Sequence, residues 1–87
     1  MIMAIHHKVA DYTKWRAAYD AHEQARVAAG VTNGKVYQSK DDRNDVVILF
    51  DVSDVSKAKT FSQSQDLKSR MQEGGVLGQP EILFQPQ

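Results

Sequence analysis

The stretch "DDRNDVVILFDV", Asp41 to Val52, decides the fold. Its first four residues, Asp41-Asp42-Arg43-Asn44, are turn formers. The residues that follow alternate, with Val46, Ile48 and Phe50 on one face and Val47 and Leu49 on the other. Both faces are apolar at the strand's centre. An antiparallel sheet with helices on one side ordinarily shows water a polar second face. A strand that is greasy on both faces needs two covers. A second copy of the sheet is the simplest second cover, so the chain is expected to form a homodimer through its sheet faces.

Working outward from this strand gives the order of elements. Upstream, Val31 to Lys40, with "KVYQS" at its core, reads as the other arm of a hairpin turning at Asp41 to Asn44. Asn33-Gly34 has hairpin-turn chemistry. Nothing strand-like fits between Gly30 and Asn33, however, so the pair is read as the loop leading into the strand. Met1 to Val9 is β-favourable and too short for a helix. Between these strands, Asp11 as N-cap and Gly30 as the residue past the end frame one long helix, Tyr12 to Ala29. Downstream, Ser53 or Asp54 caps a helix carrying Val55, Ala58 and Phe61 at helical spacing. Ser64 recaps a third helix with Leu67 and Met71 on one face. Gly74-Gly75 stops it, "GGVLG" reads as a flexible connection, and Pro80 precedes a last strand, Glu81 to Gln85. A proline at a strand start suits an edge. The order β-α-β-β-α-β, with its second helical part in two pieces, is the α+β, ferredoxin-like plan with a four-stranded antiparallel sheet.

Composition narrows the function classes. The chain of 87 residues fits a single domain, 1–87. Eleven basic residues balance 11 acidic ones without a long single-sign run, which argues against a nucleic-acid surface. There is no cysteine, so neither disulfide nor thiolate chemistry is available, in keeping with a reducing, cytoplasmic setting. The apolar start, Met1 to Ile5, is cut off by His6, His7 and Lys8, too short for a signal peptide or membrane span. The serines lack a nucleophile motif, Asp41, Asp42 and Asp45 lack EF-hand spacing, and "GGVLG" lacks the Lys-Ser/Thr of a phosphate loop.

The long helix carries the chemical signal. At 100° per residue Trp15, Ala18, Tyr19, His22, Ala25, Arg26 and Ala29 share its apolar side. His22 has the titration range of a general base or acid, and small alanines beside it leave room for a ligand. The plain alternative is a core histidine with both nitrogens bonded to protein groups. Arg26, at the stripe's edge, is suited to an enolate, phenolate or carboxylate. Its plain alternative is an arginine with its stem on the core and its head in water or on a carboxylate. Strand alternation puts His7 with Met3, Ile5 and Val9 on the helix side and His6 on the other, unless a bulge swaps them. Trp15 and Tyr19 are candidate cavity groups as well as core. Tyr37 shares a face with Lys35 and Ser39 and is a candidate cavity hydroxyl if that face turns to the helices. Phe61 and Met71 read as packing or apolar cavity wall. His6 and His7 point apart, and Arg26 occupies the position four residues after His22, so no metal site is expected. No cofactor is expected either.

The pieces "HHKVADYTKW", "AYDAHEQARVAAG", "DDRNDVVILF", "TFSQSQDLKSRM" and "GGVLGQPEILF" together resemble small stand-alone members of the dimeric α+β barrel superfamily, related to the antibiotic biosynthesis monooxygenases. The resemblance covers nearly the whole chain. It implies a small-molecule cavity between each subunit's sheet and helices, with His22 and Arg26 facing it. The superfamily spans cofactor-free monooxygenases, cyclases, isomerases, haem-degrading enzymes and ligand-sensing domains, and fold alone does not choose among them. The better-known monooxygenase sites resemble an Asn with paired Trp residues. Here there is one Trp, and Asn33 and Asn44 fall in expected loops. The expectation is a homodimer that binds a small, apolar or aromatic, acidic molecule. His22, with His7, would move a proton, and Arg26, Tyr19 or Trp15 would steady the anion. The alternative is a non-catalytic ligand-binding or structural homodimer with a satisfied core histidine.

Overall fold

The structure is a computed structural model and describes residues 1–85. Its elements run β1 (Ile2–Val9), α1 (Tyr12–Ala21), α2 (Glu23–Ala28), β2 (Val31–Gln38), β3 (Asp45–Val52), α3 (Val55–Ser62), α4 (Gln65–Glu73) and β4 (Val76–Gln85). The four strands form one antiparallel sheet in the order β2-β3-β1-β4. This is the ferredoxin-like α+β fold expected from the sequence.

β3 occupies the span read from "DVVILFDV", and its alternation is the backbone of the core. Val46, Ile48, Phe50 and Val52 are buried against the helices, while Val47 and Leu49 on the opposite face are only partly covered. β1 pairs with it in register, Met3 opposite Phe50, Ile5 opposite Ile48 and His7 opposite Val46. Directly opposed residues of an antiparallel pair project to the same face. Met3, Ile5, His7 and Val9 therefore all lie under the helices, as strand parity requires.

Caps set the helix starts. The Asp11 carboxylate accepts from the backbone N–H of Thr13 at 2.9 Å. Asp54, rather than Ser53, caps α3 by accepting from Lys57 N–H at 3.1 Å. The Ser64 hydroxyl accepts from Leu67 N–H at 3.1 Å and donates to the Phe61 carbonyl at 2.8 Å, closing α3 and opening α4 at one residue.

Four expectations need correction. The helix read as Tyr12 to Ala29 is two helices, because His22 (φ −97°, ψ 8°) ends α1 and begins α2. The apolar stripe survives the break because Arg26 N–H still donates to the His22 carbonyl, at 3.4 Å. Asn33-Gly34 is not a loop before β2 but a bulge inside it. Asn33 has φ 55°, and the register with β3 shifts between Thr32 and Lys35. The last strand begins at Val76 rather than Glu81, so "GGVLG" is partly strand. Finally, Pro80 lies inside β4 rather than before it. There Gly78, Gln79 and Pro80 bulge opposite the single residue His7, and Gly78 has φ 68°. A bulge on an edge strand is where a residue without an N–H breaks no ladder bond.

Candidate functional site

Between α1, α2, α3, α4 and the inner sheet face lies a cavity with about 60 Å³ of free space. Apolar side chains make most of its wall, among them Ile5, Ile48, Phe50, Phe61, Leu67 and Met71. The polar groups are few and convergent, the usual character of a small-molecule site. His7, His22 and Arg26 all line it, with Trp15 and Tyr19 beside them.

These three polar residues are buried, with 6 %, 6 % and 8 % of their surface exposed. An aromatic row along α1 orders them. The Trp15 ring stacks on Tyr19 at 5.0 Å between centroids. His7 meets the edge of Trp15 at 5.4 Å. The Arg26 guanidinium lies 3.8 Å from the Tyr19 ring centroid and 5.8 Å from that of Phe50. Gly34 in the β2 bulge makes room for this row, since a Cβ there would run into the Tyr19 hydroxyl and come within 2.8 Å of the Phe50 ring.

The three carry different electrostatic roles. Neither nitrogen of His7 has a hydrogen-bond partner among the described residues. Burial, helped by the nearby His6, pushes its pKa down to about 4, so His7 is neutral at physiological pH. His22 Nε2 lies 2.9 Å from Asp66 Oδ2. That hydrogen bond holds the Asp66 carboxyl below its usual range. An ionised carboxylate only accepts, so Nε2 is the donor in this hydrogen bond and Nδ1 is the ring nitrogen it leaves for another partner. The His22 ring stacks on Phe61 at 5.7 Å.

Arg26 donates from Nη1 to the Tyr19 carbonyl at 2.7 Å. Its head is thus neither in water nor on a carboxylate, unlike the plain snorkelling arginine. The ion pairs of the other arginines, Arg16–Asp20, Arg70–Asp66 and Arg70–Glu73, leave it out among the described residues. Burial lowers its pKa from the usual arginine value, yet a guanidinium in a protein remains charged. Burial also raises the Tyr19 pKa, which keeps that hydroxyl protonated.

Of the residues singled out in the sequence, His7, His22, Arg26, Trp15, Tyr19, Phe61 and Met71 come together here. Tyr37 does not. It pairs with Val47 on the opposite face of the sheet and is 51 % exposed. The bulge at Asn33-Gly34 is the reason, because one inserted residue reverses the parity of everything after it. His6 is also on that far face, where its Nε2 lies 2.6 Å from Asp45 Oδ1. Asn33 donates to Asp51, and Asn44 accepts from Tyr12 N–H and donates to the Ala10 carbonyl, so both are occupied away from the cavity. Among the described residues no cluster of three metal-ligating side chains occurs. Asp66 was not singled out in the sequence. It is 44 residues from His22, and only its place in the first turn of α4, just after the Ser64 cap, marks it.

The fold is that of the antibiotic biosynthesis monooxygenase-like proteins, as the sequence resemblance implied. No family model matches the chain, and no curated protein matches its sequence. Among solved structures it is similar to an antibiotic biosynthesis monooxygenase-like protein from Bordetella bronchiseptica. The identity is 15 %, the TM-score 0.79, and the match covers 99 % of this chain and 95 % of that one. It is also similar to SnoaB, a cofactor-independent oxygenase from Streptomyces nogalater. There the identity is 11 % and the TM-score 0.69, over 99 % of this chain and 92 % of the other. No helix is long and apolar enough to cross a membrane among the described residues.

Proposed function

We propose that the chain binds a small, largely apolar, acidic molecule in the helix–sheet cavity and removes a proton from it. The observation that carries this reading is a buried guanidinium with no carboxylate paired to it among the described residues, one helical turn from a histidine polarised by Asp66. In the proposed step His22 Nδ1 accepts the proton from a ligand O–H or acidic C–H. The resulting imidazolium is held by Asp66, and the anion left behind is stabilised by Arg26. Cyclisation, isomerisation and cofactor-free reaction with dioxygen all start from such an anion. The SnoaB likeness supports the third of these without choosing it.

The open sheet face supports the second part of the proposal, pairing with another copy. Tyr37, Leu77 and Leu83 are each more than half exposed there, and Val47 and Leu49, on the interior strand β3 of the same face, are part-buried. A Leu83→Arg variant should turn a dimer into a monomer in native mass spectrometry. A monomeric wild type would remove this part of the reading.

The test of the chemistry is a titration with 4-nitrophenol at about pH 6, near the histidine range, where the free phenol is mostly colourless. Binding with proton transfer yields the yellow phenolate. His22→Ala should abolish the colour while the fold, followed by circular dichroism, stays intact. Binding without colour would favour the non-catalytic ligand binder.

A further inference from the structure

The cavity as it stands is too tight for a ring the size of benzene. Its free space is about 60 Å³. An apolar cavity that takes up benzene measures about 150 Å³. Close-packed walls do not stretch to cover such a difference, so one of them has to move for a ring to enter. The sheet and three of the helices are anchored in the core. Met3, Ile48 and Phe50 of the sheet are buried, as are Trp15 of α1, Arg26 of α2 and Ala58 of α3. Helix α4 alone buries no residue, yet it supplies Leu67, Arg70 and Met71 to the cavity wall.

The two ends of α4 are held differently. Gly74, just past its last residue, is buried, and a Cβ there would lie 3.4 Å from both Ala18 Cβ and Trp15 Cδ1. Glycine at this position lets the chain lie close against α1. The Gly75 carbonyl then accepts from Ala10 N–H at 2.9 Å, which pins this end to the corner between β1 and α1. At the other end α4 joins α3 through Gln63 and Ser64, and Ser64 is extended (φ −70°, ψ 147°). Apart from the Ser64 cap, the Asp66–His22 pair at 2.9 Å is the side-chain hydrogen bond that ties α4 to a neighbouring element among the described residues. Arg70 pairs within its own helix, with Asp66 at 3.9 Å and Glu73 at 3.7 Å.

We infer that α4 is the gate of the cavity, swinging on its Gly74 end, with the Asp66–His22 hydrogen bond as its latch. The latch and the proton acceptor share one histidine, so admission and chemistry are coupled. With the gate open, Asp66 leaves His22 and the ring loses the carboxylate that orients it. Closure over a ligand restores the pair. Transfer of the ligand proton to Nδ1 then makes His22 an imidazolium, and the latch becomes an ion pair as well as a hydrogen bond. The gate is therefore tightest while the anion is inside, and it loosens when the proton leaves His22. This coupling rests on the binding reading proposed above and adds its regulation.

Amide exchange of the free protein and the kinetics of 4-nitrophenol binding test the gate. Asp66 is 62 % exposed, so Asp66→Asn leaves the packed core alone. In this variant exchange at the Asp66 end of α4 should accelerate about three- to tenfold, the range for one hydrogen bond of ordinary net strength, while α1 stays protected. His22→Phe removes the latch without altering α4, and the same acceleration should follow there, which separates the latch from the charge at the helix start. Binding is followed by quenching of Trp15, the single tryptophan of the chain. At about pH 6, below the titration range of most of the phenol and near that of histidine, association with Asp66→Asn should be faster than with the parent by a similar factor, because the open form is more populated. Equal exchange in α4, acceleration in Asp66→Asn but not in a folded His22→Phe, or equal association rates overturns the gate. If nitrophenol binds and is deprotonated at the same rate in parent and Asp66→Asn, the gate falls and the binding reading stands. If exchange responds as expected in both variants but nitrophenol never quenches Trp15, the binding reading falls and the gate stands.

Discussion

Helices α1 and α4 line the same cavity, and they are held in different ways. α1 buries Trp15, with Tyr19 stacked on it and His7 packed edge-on against it, so its position is fixed by close packing. α4 buries no residue completely. Leu67 and Met71 reach the cavity only part-buried, and the named tie to the site is the Asp66–His22 hydrogen bond. The difference teaches which wall is set by packing and which by a polar contact at the surface. Apolar contact positions the aromatic row and the guanidinium over it. A polar contact, with a partner 62 % exposed to water, holds the other wall. Regions with few buried apolar contacts open at low free-energy cost.

Cutting into the packed wall should cost the most. Trp15→Ala should lose about 3–5 kcal/mol of stability in urea denaturation, the range for a large aromatic removed from a core. A loss under about 1 kcal/mol, typical of the surface, would erase the contrast between the two helices. Acid provides the next largest effect. The His7 pKa is about 4 in the fold and ~6.5 in the unfolded chain, so the unfolded state binds the proton first as pH falls. The stability of the neutral form is complete above about pH 6.5 and is lost progressively down to about pH 4, in total on the order of 3 kcal/mol. Asp66, also depressed, loses its contribution only as pH falls through the carboxylate range below. His7→Phe should flatten the upper window alone, measured as urea midpoints at about pH 7 and about pH 4.5.

Smaller effects sharpen the comparison. Gly34→Ala should cost about 1–3 kcal/mol by driving a methyl into Tyr19 and Phe50, the expected range for overpacking. Calorimetry checks it, and the Arg26 end of the cavity should distort with it. On the loose wall, Asp66→Asn should leave the global melting temperature nearly unchanged. Amide exchange in α4 should accelerate while that in α1 does not. Equal protection of both helices in the variant would show that α4 is held by packing after all.

The sequence discloses the packed wall better than the loose one. The bounds of β3, the caps at Asp11 and Ser64, and the parity that put His7 beneath the helices rest on local periodicity and hydrogen-bond chemistry. Those rules act within a few residues. The Asp66–His22 pair joins positions 44 apart, and no local pattern announces it. The face of Tyr37 stayed open in the sequence because a single left-handed residue, Asn33, reverses the parity downstream of it. Pro80 reads locally as a strand boundary, but the edge position and the bulge opposite His7 let the strand run through it. The break at His22 is hidden because the stripe of apolar positions continues across it with little change of phase.

Both outer strands of the sheet are irregular, β2 at Asn33 and β4 at Gly78 to Pro80. An open edge offers a template on which another chain can add a strand, and repetition of that step builds insoluble fibres. Bulges, a left-handed residue and a missing N–H interrupt that template on each side. Open-ended growth of ribbons along either edge of this sheet is thereby discouraged.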